Sequence, residues 1–161
     1  MQLWINELVA WLETTKVHQM MQTVEWAVPA VQTIHILAIA AVFASSLALS
    51  LRTFRLAGVD WSPAQWGARL NGWIGGGLAV LLLSGVMMIC GEPGRSLNNS
   101  LFQTKMVLLV FAILLFLALS RGFRSLDRPE LRAPSAVRLL AVLLMLVWLA
   151  IIICGRWIAY T

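Results

Sequence analysis

Four apolar stretches, each about as long as a bilayer core is thick, constrain this chain more than any other feature. A helix rises about 1.5 Å per residue, so roughly 20 mostly apolar residues suffice to span. Such stretches run at about residues 29–51, 71–90, 102–120 and 135–154. Hydrophobic residues make up 60% of the chain and charged ones 12%, far from the averages of a soluble domain. The sequence therefore predicts an all-α integral membrane four-helix bundle, a single domain over residues 1–161. Residues 1–27 form an N-terminal amphipathic segment at the interface.

That segment is not read as a signal peptide: it lacks a basic start and carries Glu7 and Glu13. Trp4, Ile5, Leu8, Trp11 and Leu12 recur at helical spacing, as in a helix lying in the interface. Val17, Met20, Met21 and Val24 repeat the pattern, which puts His18, Gln22 and Glu25 on a polar, headgroup-facing stripe.

The first span opens at Pro29, where a missing N–H costs nothing, and Arg52 and Arg55 are expected to stop it. His35 shares a face with Gln32, Ala38, Ile39, Val42, Ser45, Ser46 and Leu49. Small residues on that face favour close helix contact and turn His35 into the bundle. In the second span Gly72 and Gly76 form a G-x-x-x-G pair suited to backbone approach. A turn follows at Gly91 to Gly94, and Ser100 with Gln103 fits a capping box for the third helix.

Loops after the first and third spans hold Arg52, Arg55, Arg69, Arg121, Arg124, Arg128, Arg132 and Arg138, eight of the twelve basic residues. By the positive-inside rule both termini are outside, in a bacterial frame periplasmic, with the chain in the inner membrane. Topology thus accounts for the net charge of +5 without a nucleic-acid partner. Trp26, Trp157 and Tyr160 then mark one interface, and Trp61, Trp66 and Trp73 the other.

In this orientation Glu25, His35, Glu92, Lys105 and Arg156 gather toward the outer face. A charge at a helix centre costs about 2.5–3.5 kcal/mol on the insertion scale and less near the interface. Two readings follow. In one, Lys105 and Arg156 snorkel and pair with Glu92 or Glu25. In the other, a polar pocket opens outward with His35 as its floor.

Neutral imidazole is a common haem ligand, so His35 is a candidate axial ligand and metal-binding residue for haem b, with Lys105 and Arg156 toward the propionates. Only His18 and His35 are present, so paired imidazoles on two haems are excluded. One haem would take His18, Met88 or Met106 as its sixth ligand, or keep that position open. The competing reading makes His35 a structural residue bonded to Gln32 or to a neighbouring helix.

The run Glu25 to Gly58, with E-x9-H and L-R-x-x-R-L-A-G, the F-x-x-K-M at Phe102 to Met106, and the closing G-R-W-I-A-Y at Gly155 to Tyr160 resemble an uncharacterised bacterial four-helix inner-membrane family. More distantly, a first-span histidine followed by arginine, with a lysine opening the third span, is similar to HemJ-type protoporphyrinogen oxidases and CopD-type copper-resistance membrane proteins. The HemJ resemblance implies that His35 is an axial ligand of haem b and Lys105 a cofactor or substrate contact. The amphipathic preamble and the G-R-W-I-A-Y ending depart from the HemJ pattern.

Cys90 and Cys154 end their spans in parallel contexts, Cys-Gly-Glu and Cys-Gly-Arg. They would bridge if the second and fourth spans were neighbours in an oxidising compartment; otherwise they are buried thiols behaving as small hydrophobes. No C-x-x-C, H-E-x-x-H, G-x-x-x-x-G-K or G-x-S-x-G occurs, which removes the corresponding zinc, nucleotide and nucleophile-elbow chemistries. His18, Met20 and Met21 offer soft and imidazole ligands for copper only if a short helix gathers them on one side. The rival to a haem-b redox or porphyrin-handling role is a non-enzymatic membrane subunit or scaffold. It would use the Gly72/Gly76 face and the preamble to form a homo-oligomer or a larger membrane complex.

Overall fold

The structure, a computed structural model, describes residues 2–124, 126 and 132–157. They form seven helices and no strand: α1 (Gln2–Glu13), α2 (Lys16–Thr23), α3 (Ala27–Thr53), α4 (Pro63–Gly91), α5 (Pro93–Leu97), α6 (Ser100–Arg124) and α7 (Ser135–Trp157). The helices α3, α4, α6 and α7 are each long and apolar enough to cross a membrane. Arg128, and Ile158 to Tyr160 of the closing motif, lie outside the described residues.

Helix ends differ from the sequence expectation where capping chemistry sets them. α4 begins at Pro63 rather than near Asn71, because Ser62 and Gln65 close a capping box over Pro63. The Gln65 N–H donates to Ser62 Oγ at 3.2 Å, and the Ser62 N–H to Gln65 Oε1 at 3.1 Å. α6 is capped by Asn99, not by Ser100: Asn99 Oδ1 accepts from the N–H groups of Leu101 (2.8 Å) and Phe102 (3.4 Å). Gln103 instead donates to the Leu97 carbonyl at 3.1 Å.

Arg52 does not stop α3. It lies within the last turn, 1% exposed, and its Nε and Nη2 donate to the Trp61 carbonyl at 3.3 and 2.8 Å. A buried guanidinium demands such bonds, and here they tie the α3–α4 turn back onto α3. Trp66 closes the same turn, its Nε1–H donating to the Ala48 carbonyl at 3.1 Å. The indole presses on Gly58, whose φ of +60° favours glycine and where a Cβ would stand 2.7 Å from Trp66 Cδ2. Trp66 is thus a clasp between two helices, while Trp61 and Trp73 stay exposed.

α3 packs along α4 and α6 along α7; the two hairpins join through α3 against α7 and α4 against α6. Val42, Leu49, Leu119, Ala141 and Leu144 are fully buried between them. Lipid is as apolar as these side chains, so fit and polar bonds, not water exclusion, hold the helices together. Ser120 Oγ supplies one such bond, donating to Asn71 Oδ1 at 3.2 Å. The glycine of closest approach is Gly77, which sits so tightly on Val42 that a Cβ would overlap its isopropyl group. A Cβ added at Gly72 or Gly76 would meet nothing within 4 Å, so among the described residues the G-x-x-x-G pair packs on no other helix.

The N-terminal segment is bonded to the bundle. α1 lies against α5 and α2 against α4. The His18 ring bonds through Nδ1 to the Cys90 carbonyl at 2.8 Å, and Gln22 Nε2 donates to the Gly91 carbonyl at 2.7 Å. These are carbonyls of the last turn of α4, which the helix cannot satisfy itself. His18 and Gln22 therefore cap a spanning helix, correcting the reading of a headgroup-facing stripe. Met21 is buried at 3% exposure and Met20 is 44% exposed, so α2 does not gather them with His18 on one side. Leu3, Trp4, Leu8 and Trp11 of α1 remain exposed.

Candidate functional site

All four spanning helices contribute to one polar cluster. Its centre is His35, the ninth residue of α3 and so about 12 Å below that end of the helix. Its Nδ1 lies 2.8 Å from Ser84 Oγ on α4. Ser84 also back-bonds along its own helix, donating to the Val80 carbonyl at 2.6 Å. A hydroxyl has one proton. If that proton goes to the Val80 carbonyl, a neutral His35 would donate through Nδ1–H and keep the lone pair on Nε2. The neighbouring α4 residue is Gly85, where a Cβ would come 3.6 Å from His35 Cε1. Its lack of a side chain keeps this edge of the ring uncrowded.

Lys105 enters from the first turns of α6 and crosses to α7. Its Nζ occupies space left by Gly155, 3.6 Å from where a Cβ would stand. The ammonium is half-buried and close enough to interact electrostatically with both His35 and Cys154. Among the described residues no carboxylate pairs with it. Glu92 pairs with Arg95 at 3.3 Å and Glu25 is exposed, so Lys105 does not make the ion pair of the first reading. Arg156 stands exposed near the end of α7, at the rim.

Of the two kinds of partner expected for His35, Gln32 is exposed one turn away, and the neighbouring helix α4 supplies the bond through Ser84. The serine is the residue that sequence reasoning missed. A lone hydroxyl in the apolar run Ala79 to Cys90, followed by glycine, was its only signal. Cys90 is buried and Cys154 half-buried, and both are free thiols. Their helices, α4 and α7, are not among the pairs that pack side by side, and neighbouring helices were the condition for the proposed bridge.

Chemically, the cluster offers an imidazole near an ammonium that has no carboxylate partner among the described residues. Among the described residues no group of three or more His, Cys, Asp or Glu could hold a bare metal ion. One imidazole does suffice for a metal whose macrocycle brings the other donors, and the ammonium suits a carboxylate on that macrocycle. His18 is held on the Cys90 carbonyl, six residues beyond Ser84 or about 9 Å along α4. Met88 packs against the cluster of Met21, Ala27 and Val31.

Four apolar spanning helices around an interior polar cluster define a multi-pass membrane protein of the all-α helical-bundle class. Within that class the chain belongs to a family of unknown function, DUF6644, which matches residues 8–161. No curated protein and no solved structure matches it.

Proposed function

We propose that the protein binds haem b in a bacterial inner membrane, with both termini periplasmic, and serves a redox or porphyrin-handling reaction. The observation that carries this reading is the 2.8 Å bond between His35 Nδ1 and Ser84 Oγ. Iron-ligating histidines are oriented by a hydrogen bond on the ring nitrogen that does not bind the metal, and Ser84 supplies that bond. His35 Nε2 would ligate the iron, and Lys105 and Arg156 would meet the propionates. His18 and Met88 are engaged elsewhere, so a second protein ligand, if there is one, would be Met106. The resemblance read in the sequence, of His35 and Lys105 to the histidine and lysine of HemJ-type enzymes, supports the same assignment. The arginines of the loops after α3 and α6 support the orientation. The test is an absorption spectrum, oxidised and dithionite-reduced, of protein purified from membranes with haem supply not limiting. A Soret band that sharpens on reduction and disappears in His35→Ala is expected. A featureless spectrum from folded protein would overturn the assignment.

A second reading rests on a different observation. Gly72 and Gly76 open onto a groove of about 630 Å³ between α3 and α4, lined by Ile34, Leu37, Ala41 and Trp73 among others. Such a face suits helix packing between chains, as a subunit or scaffold would need. Single-chain behaviour of both the wild type and Gly76→Leu in bilayers, by subunit counting, would remove it.

A further inference from the structure

The groove between α3 and α4 is apolar along its length and carries a cation at one end. Gly72, Gly76 and Val80 form its α4 wall, and Ile34, Leu37 and Ala41 its α3 wall. Neither glycine has a side chain to fill it, and a Cβ added at either would meet nothing within 4 Å. Among the described residues Arg69 is the one charged side chain that lines it. From Arg69 to Val80 the wall runs eleven residues, about 16 Å of helix. Half of a bilayer core of about 30 Å is about 15 Å, so the groove is as long as one leaflet is deep.

The depth of the cation agrees with that length. α4 has 29 residues, about 43 Å of helix, and centred on such a core it overhangs by about 7 Å at each end. Arg69, its seventh residue, falls at the boundary, where a long side chain keeps its charge among headgroups. The guanidinium lies over the ring of Trp61, 5.6 Å from the centroid. A ring face attracts the cation but takes none of its N–H donors, so the planar fork keeps its capacity for an oxygen acceptor. Trp73, one turn further along the groove, is 68% exposed, as an aromatic ring at headgroup level is.

We propose that this groove seats an anionic phospholipid, one acyl chain lying along Gly72 and Gly76 and the phosphate on Arg69. The charge at its mouth selects a lipid over a second copy of the chain. Two parallel copies packed through this face about a two-fold axis normal to the membrane would bring their Arg69 side chains together at one depth, like charge against like. A phosphate meets the same cation with opposite charge and accepts paired N–H bonds from it.

The experiment uses the full chain, reconstituted in vesicles of phosphatidylcholine or of an equal mixture with phosphatidylglycerol and extracted in mild detergent. The readout is the lipid that stays on the protein, identified by native mass spectrometry. Gly76→Leu fills the groove and should lose most of the retained lipid of either kind. Gly75→Leu adds the same side chain at the next position, outside the groove, and should stay near wild type. Arg69→Gln leaves the groove open and should lose about fivefold in preference for phosphatidylglycerol over phosphatidylcholine. Arg121→Gln, which removes a like charge at the same end of the bundle, should keep that preference. Arg69 is exposed, so its variant remains informative if Gly76→Leu folds poorly. Equal loss in Gly75→Leu and Gly76→Leu, an unchanged preference in Arg69→Gln, or no lipid on the wild type would overturn the site. A lipid-free wild-type dimer that Gly76→Leu dissolves would overturn it too, by giving the groove to a second copy.

Discussion

The ring of His18 and the carbonyl of Cys90, 72 residues apart in sequence, are joined at 2.8 Å, so the N-terminal segment is bolted to the end of a spanning helix. With Gln22 on Gly91, the pair satisfies two carbonyls at the end of α4 beyond the one that the Glu92 N–H reaches. Removing both side chains exposes two helix-terminal carbonyls and should cost about 1 kcal/mol per bond. In the double variant His18→Ala/Gln22→Ala, hydrogen exchange should accelerate over residues 2–23 while the core of α4 stays protected. Unchanged exchange in the segment would show that α2 is held by other means.

Ser84→Ala separates ring placement from ligation. The imidazole keeps both nitrogens but loses the partner that fixes its tautomer. If His35 holds haem, retention should weaken about 10- to 100-fold without vanishing, whereas His35→Ala should abolish it. Haem titration of the two purified variants distinguishes these outcomes; identical behaviour of Ser84→Ala and wild type would remove the serine from the site.

Adjacent glycines in α4 should respond oppositely. Gly77→Ala places a methyl into Val42 and should destabilise the bundle by about 1–3 kcal/mol. Gly76→Ala meets nothing and should be neutral or stabilise by up to about 1 kcal/mol. Unfolding of both variants by denaturing detergent, followed by circular dichroism, gives the comparison.

Thiol reactivity follows burial. Both cysteines should titrate as free thiols in the unfolded protein, and in the folded protein Cys154 should react with a small maleimide before Cys90. A mobility shift on non-reducing gels that disappears in Cys90→Ala would contradict the free thiols.

The four spans were legible because hydropathy over twenty residues is a strong signal. So was the inward face of α3, since Ala38, Val42, Ser46 and Leu49 repeat at helical spacing and are all buried. What could not be read was register between helices. Ser84 and His35 meet only because α3 and α4 slide to one particular offset, set by Gly77 on Val42 and by the clasp of Trp66. The same ignorance of offset left Gln32 and a neighbouring helix as equal alternatives for the partner of His35. Gly72 and Gly76 matched a packing motif, yet the contact fell on Gly77, one residue along and on another side of the helix. Trp148, buried at 3% exposure with its N–H lacking a partner among the described residues, sat unnoticed in an apolar run.

The pairing of α3 with α4 through neighbouring bonds, Arg52 to Trp61 and Trp66 to Ala48, has a consequence for biogenesis. This hairpin can close while the ribosome is still making the rest of the chain, with His35 and Ser84 already in place. Lys105 and Gly155 emerge later and belong to the second hairpin. A nascent chain arrested after α4 would therefore carry an imidazole without its ammonium, and any guest would have to wait for the last helix before finding a finished berth.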